Sequence, residues 1–277
     1  MKLLDRQQIA GMNIHYLFYS LDFFLDSQVK AGIQTIELWP GAPHFFLDSI
    51  SYSDCKAVRH KIESRGLTVK ILTPENCTYQ YQFAAQEEEQ FQKSKQYFTN
   101  ALAVAEELGC DIMAINSGWG YWNEDREEAW KRSREMLSYL AEIAQTRGVS
   151  LAMESLRPQE SQLATTVHDV KRMLQEVNHP HLKAMIDTTA MGVAGETIDQ
   201  WFELLGDDII HTHFIDGNPY GHLIWGDGTH SLQDFLQALE RNGYKGYLGQ
   251  EITEFSYFEH PDEEDARNMK AFEPFIR

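Results

Sequence analysis

Long apolar runs are missing from this 277-residue chain: no stretch approaches the roughly 20 residues that span a bilayer. The opening "MKLLDRQQIAG" lacks the extended apolar segment and small-residue cleavage site of a secretory leader. Cysteine is scarce, and Cys55, Cys77 and Cys110 have no CxxC spacing, which excludes a disulfide framework and a zinc knuckle. These absences together imply free thiols and a cytoplasmic location. Basic residues are outnumbered, 24 Lys and Arg against 42 Asp and Glu, for a formal charge of −18. Such a field repels nucleic acid and anionic membranes and favours a neutral or cationic small molecule as partner. No proline-rich linker, low-complexity tract or long block of like charge divides the sequence. One domain over residues 1–277 is therefore expected. A GxGxxG phosphate loop is also missing after the first strand pattern, which argues against an open dinucleotide-binding sheet.

What is present is alternation. Short apolar, β-branched runs recur at 9–17, 33–40, 67–74, 110–118, 149–156, 182–189, 208–216 and 246–253. Between them lie helical patterns, including 87–109, 126–148, 167–177, 231–243 and 261–272, the first two ending in glycine as helices commonly do. Eight strands alternating with helices in a chain of this length predict an α/β fold, a (β/α)8 barrel, whose active site lies at the C-terminal ends of the strands.

Polar residues fall at those ends. The fifth run closes on Glu154, the sixth on Asp187 and the eighth on Glu251, while the seventh carries His211 and His213 on one face. Each has an ordinary structural role available: a helix cap for Glu154 or Asp187, ion pairing of Glu154 with Arg157, a bridge across the rim for Glu251, a hydrogen-bonded core position for either histidine. Glu154, Asp187, His213 and Glu251 nevertheless sit on four successive strands, 33, 26 and 38 residues apart. Three buried carboxylates need a cation or protons to offset their repulsion. Three oxygen donors and one imidazole suit one divalent ion, Mn²⁺ first, with Mg²⁺ or Co²⁺ as alternatives. His211, one layer deeper, is expected to support the site or touch substrate. A pair of glycosidase carboxylates would leave Asp187 and His213 without a role.

With these residues in place, the chain resembles the sugar isomerase/epimerase superfamily of xylose isomerase-like TIM barrels along nearly its whole length. The resemblance is nearest to the ketose 3-epimerases, including those acting on fructoselysine-type ketosamines. It is carried by "IELWPGAPHFF", "TPENCTYQYQ", "MESLRPQES" and "GHLIWGDG". It implies a divalent metal held by Glu154, Asp187, His213 and Glu251, with Glu154 and Glu251 also the catalytic acid/base pair. Glu160 matches a substrate-contacting glutamate of the family. The resemblance further implies a homo-dimer or homo-tetramer. Two positions depart from the family: Ala190 stands where a histidine is usual and Pro219 where an arginine is usual. Both turn the expectation from free ketohexoses toward a ketosamine such as fructoselysine or psicoselysine. Endonuclease-type relatives need more metal-binding histidines and a basic face, and neither is evident.

Other substrate-contact candidates are Arg157, which could hold Glu154 or Glu160, the loop histidine His44, and aromatics expected at the rim: Trp39, Phe45, Tyr79, Tyr81, Trp119, Tyr121 and Trp225. Two flanking carboxylates favour inversion at C3 of a ketose over a one-base isomerisation. An aldose–ketose isomerase of the hydroxypyruvate type, an inosose-type dehydratase and a non-catalytic sugar-binding barrel remain alternatives.

Overall fold

The computed structural model describes residues 2–47, 52–77 and 81–277. Eight parallel strands close into a barrel: β1 (Ile9–Met12), β2 (Thr35–Leu38), β3 (Thr68–Leu72), β4 (Ile112–Ile115), β5 (Ser150–Met153), β6 (Leu182–Asp187), β7 (Ile209–His213) and β10 (Tyr247–Gln250). All eight expected strand runs contain one of these strands, so the chain is a (β/α)8 TIM barrel. The outer helices are α1 (Leu21–Ala31), α2 (Tyr52–Glu63), α3 (Glu88–Leu108), α4 (Arg126–Arg147), α5 (Val167–Val177), α6 (Thr188–Val193), α7 (Ile198–Leu205), α8 (Leu232–Arg241) and α9 (Pro261–Phe272). No helix among the described residues is long and apolar enough to cross a membrane. The three cysteines are free.

Local chemistry explains the boundaries. In α3, Phe91, Ser94, Phe98, Ala101, Ala105 and Leu108 are buried at helical spacing, and the helix stops at Gly109 in the left-handed region. Asp125 caps α4 by accepting from the Glu127 and Glu128 amides. Thr166 and Ser231 do the same for α5 and α8. The lower barrel interior is filled by Ala10, Ile71, Ile112, Ala114, Ala152 and Met185, and a larger apolar cluster fills the space between strands and helices.

All eight strands are shorter than the apolar runs implied, and for three of them the reason is visible. β1 stops at Met12 because the Asn13 side chain takes over pairing with the second strand, accepting from Trp39 N at 2.8 Å and donating to Trp39 O at 2.9 Å. β6 stops at Asp187 because that residue caps α6, with Oδ1 accepting from the Ala190 amide at 2.7 Å. The seventh run divides at His213. Beyond it lies an antiparallel hairpin of β8 (Asp216–Asn218) and β9 (Tyr220–Leu223) that periodicity did not disclose.

Candidate active site

The barrel register sets Asp187 beside His213 on one side and Gly249 beside His213 on the other. Gly249 is required: a Cβ there would lie 2.1 Å from Glu37 Oε2. Through that gap the fully buried Glu37 accepts from three donors, His211 Nε2 at 3.0 Å, His213 Nε2 at 2.9 Å and Thr73 Oγ1 at 2.5 Å. Glu37 was not anticipated from the sequence, although an acid inside the apolar run "TIELW" was a signal available. Burial alone would raise its pKa, but the two imidazoles outweigh that and hold it below the usual carboxylate range.

Glu37 fixes one nitrogen of His213, and the other faces the rim. His213 Nδ1 lies 3.1 Å from Glu154 Oε2, 3.1 Å from Glu251 Oε2 and 3.8 Å from Asp187 Oδ2. The four residues expected to share a metal are thus brought together around one atom. Asp187 keeps both of its available roles, with one oxygen capping α6 and the other turned to the cluster. Burial would lower the His213 pKa, yet the carboxylates of Glu251, Glu37 and Glu154 hold it well above the ordinary histidine value. Glu154 is pushed up to about 8 by burial, assisted by Glu251 and Asp187. For Glu251 burial also acts upward, but His213 and His222 overcome it and its pKa falls below the carboxylate range. Burial and the neighbouring carboxylates thus dominate at Glu154, and the two imidazoles at Glu251.

His222 is the second residue that sequence reading missed. It lies on β9, with Nδ1 3.0 Å from Glu251 Oε2 and Nε2 3.6 Å from Asp187 Oδ2. The sequence "GHLIWGDG" drew attention to its glycines, and without the hairpin no inward direction could be assigned to the histidine.

The remaining candidates divide. Arg157 and Glu160 wall the pocket with Glu154 and Glu251, locked to each other through Arg157 Nε at 2.8 Å and its backbone amide at 2.9 Å from Glu160 Oε2. Arg157 therefore holds Glu160, not Glu154. His211 is fully buried beneath His213 with its Nε2 on Glu37, in a supporting position that does not reach the pocket. His44 is fixed by Asn13 Nδ2 at 2.9 Å and Tyr19 O at 2.7 Å, and burial lowers its pKa. Because Nε2 must donate to the Tyr19 carbonyl, Nδ1 accepts from Asn13. Trp39 is buried, with Nε1 lacking a hydrogen-bond partner among the described residues. Trp119 packs edge-on against Tyr121, and both line a separate cleft with Glu87 and Lys93. Phe45 and Trp225 are core residues instead of rim residues: Trp225 packs against Phe214, Phe235 and Phe272 and donates to Phe214 O at 3.0 Å. Tyr81 is buried, stacked on Tyr97. Tyr79 lies outside the described residues.

The model of the xylose isomerase-like TIM barrel family matches residues 25–273. Fructoselysine 3-epimerase of Escherichia coli O157:H7 is 28% identical over 226 residues, covering 81% of this chain and 82% of that protein. D-psicose 3-epimerase of Ruminiclostridium cellulolyticum is 22% identical over 231 residues, covering 81% and 75%. Among solved structures, a 3-keto-D-glucoside 4-epimerase from E. coli superposes with a TM-score of 0.81 at 16% identity, covering 97% of this chain and 99% of that one. D-psicose 3-epimerase with D-tagatose, from Clostridium cellulolyticum H10, gives 0.78 at 17% identity with the same coverage. The structural likenesses speak for the fold. The family match over nine-tenths of the sequence settles the kinship: this chain belongs to the xylose isomerase-like TIM barrel family.

Proposed function

We propose that the protein is a ketose 3-epimerase that works with one divalent cation. The observation that carries this is the approach of Glu154 and Glu251 to the same nitrogen from strand ends separated around the barrel by β6 and β7. Two carboxylates facing one centre from different sides are what inversion of a C–H bond needs: one removes the proton, the other returns it on the opposite face.

The donor set fits the cation. One imidazole nitrogen among three carboxylate oxygens is a position that selects positive charge, and in the metal-free protein a proton on His213 supplies it. Glu154, Asp187, His213 and Glu251 would hold the ion, with Glu37 orienting the His213 ring from behind, as carboxylates behind metal-bound histidines do. Oxygen-rich ligation points to Mn²⁺, with Mg²⁺ or Co²⁺ able to substitute. When bound, the ion supplies Lewis acidity toward the C2 carbonyl and C3 hydroxyl oxygens of a ketose. The protein's own part is to place the two glutamates about C3.

The substrate we favour is a ketosamine such as fructoselysine or psicoselysine. The 28%-identical relative is a fructoselysine 3-epimerase, the charge of −18 tolerates a lysine-derived cation, and Ala190 leaves an apolar wall in the pocket. Proton NMR in D₂O, on a panel of ketosamines, free ketohexoses and sugar phosphates with Mn²⁺, tests the proposal. Deuterium entering at C3 with appearance of the epimer supports it. Exchange confined to C1 or C2 would make the enzyme an aldose–ketose isomerase, and binding without exchange a sugar-binding barrel.

A further inference from the structure

The β8–β9 hairpin is fixed over the rim with more attachments than a surface loop requires. Asp216, fully buried at its base, accepts from the backbone amides of Gly217, Gly226, Gly228 and His230 at 2.8–3.0 Å. Gly228 is dictated by this arrangement, since a Cβ there would lie 2.3 Å from Asp216 Oδ1. Thr189 Oγ1 on α6 donates to Gly221 O at 3.1 Å, and the Thr253 amide beyond β10 donates to His222 O at 3.3 Å. These ties clamp the backbone on both sides of His222. The side chain enters the pocket and retains only 11% exposure.

Several of the polar groups lining that pocket are engaged with one another. Arg157 turns its Nε, its Nη2 and its backbone amide to Glu160. Asp187 Oδ1 is taken by the Ala190 amide. The α6 wall contributes Ala190, which carries no donor. His222 Nδ1 lies 3.0 Å from Glu251 Oε2 without a well-directed hydrogen bond, and its Nε2 stands 3.6 Å from Asp187 Oδ2, beyond hydrogen-bond reach. Both of those oxygens face His213 Nδ1, the direction in which the ligand set closes. An imidazole held rigidly in a pocket, paired through Nδ1 with Glu251 and with Nε2 beyond hydrogen-bond reach of Asp187, is ready to offer Nε2 to an oxygen that arrives with a ligand. Ser155 Oγ, buried in the same wall and without a hydrogen-bond partner among the described residues, is a second such group.

We infer that His222 is a substrate-holding residue: its N–H donates to a hydroxyl or carbonyl oxygen of the ketose on the Glu251 side of the reacting carbon, filling the polar role that Ala190 leaves empty. This depends on the ketose 3-epimerase function proposed above. It makes the hairpin, instead of the α6 wall, the element that sets sugar specificity on this side of the pocket.

The test compares wild type, His222→Ala, His222→Gln and Ser155→Ala in the full-length protein. It measures metal content by elemental analysis, Tm with and without Mn²⁺, Kd for D-sorbitol as a polyol that cannot react, and kcat/KM on the best ketose. His222→Ala is expected to keep one ion per chain and the wild-type Tm, to weaken sorbitol binding about tenfold, and to lower kcat/KM on the order of 10- to 100-fold. His222→Gln, which retains a donor, should recover part of both losses. Wild-type sorbitol affinity and wild-type kcat/KM in both His222 variants would overturn the inference while leaving the epimerase reading intact. So would a second ion in the wild type that His222→Ala removes, because the imidazole would then be a metal ligand. A wild type that epimerises no ketose and binds no sorbitol would overturn both.

Discussion

Two buried carboxylates in this barrel are built alike and serve differently. Asp265, on α9, accepts from His15 Nε2 at 3.0 Å, Tyr16 OH at 2.7 Å and Gln28 Nε2 at 2.5 Å. Glu37, on β2, accepts from two histidines and a threonine over nearly the same distances. Each collects three side-chain donors in a dry interior, as buried acids must. The difference lies on the far side of the histidine. His15 Nδ1 has no partner among the described residues, and its ring packs against Tyr16. His213 Nδ1 looks out at three carboxylates. The first network is a staple joining α9 to the segment after β1 and to α1; the second underlies the candidate site. A buried acid–histidine pair is therefore uninformative by itself, and the surroundings of the histidine's second nitrogen tell the two cases apart.

The largest expected contrast comes from truncating the two histidines. His213→Ala should lose the bound ion and on the order of 10³-fold in turnover, the several kcal/mol a Lewis acid supplies. His15→Ala should leave turnover unchanged and lower Tm. Equal effects on turnover from the two changes would erase the distinction. Next come Glu154→Gln and Glu251→Gln, each expected to slow epimerisation by about 10²- to 10⁴-fold with the ion retained. Each should still wash deuterium into C3 of one epimer, and the two mutants should label opposite epimers. Near-wild-type epimerisation by one metal-loaded mutant would show that a single base serves both faces.

The carboxylates themselves give a smaller and sharper comparison. Glu37→Gln should weaken Mn²⁺ binding by about 10- to 100-fold, the usual consequence of losing an orienting group behind a metal ligand. Asp265→Asn should leave Mn²⁺ affinity untouched and destabilise the fold by about 2–3 kcal/mol, the scale of hydrogen bonds to a charged group. Calorimetric titration and chemical denaturation of both mutants separate the two outcomes.

The smallest effect concerns pH. In the metal-free fold Glu154 keeps its proton up to about pH 8, against an ordinary value of 4.5, chiefly through burial. Between those values the native state holds a proton that the unfolded chain has released, so this residue's contribution to metal-free stability falls as pH rises through that window. A cation that ligates Glu154 must displace the proton. Apparent Mn²⁺ affinity should thus rise about one decade per pH unit more steeply below pH 8 than above it, and Glu154→Gln should abolish the break. A break that survives in Glu154→Gln would assign the proton elsewhere.

Much of this was legible in the chain. Alternating runs located every barrel strand, because a strand buried on both faces reads as a continuous apolar segment. Strand ends located Glu154, Asp187, His213 and Glu251, because the repeat itself brings successive ends to one rim. Glu37 escaped because its role depends on a neighbour across the barrel, His211, 174 residues away. His222 escaped because the hairpin is short and is organised by the Asp216 carboxylate gathering backbone amides, which leaves no periodic signature. Trp225 and Phe45 look like rim aromatics by position, yet both turn inward to the apolar cluster, where large rings are most stabilised.

Asp187 joins the site to its scaffold through a single carboxyl group, one oxygen on the Ala190 amide and the other on the ligand cluster. Ion loading would fix the orientation of that carboxyl and with it the first turn of α6. Amide hydrogen–deuterium exchange at Ala190 and Met191 should therefore slow when Mn²⁺ is added, with no sugar present. A short helix on the rim becomes a gauge of occupancy, readable by mass spectrometry before any substrate is known.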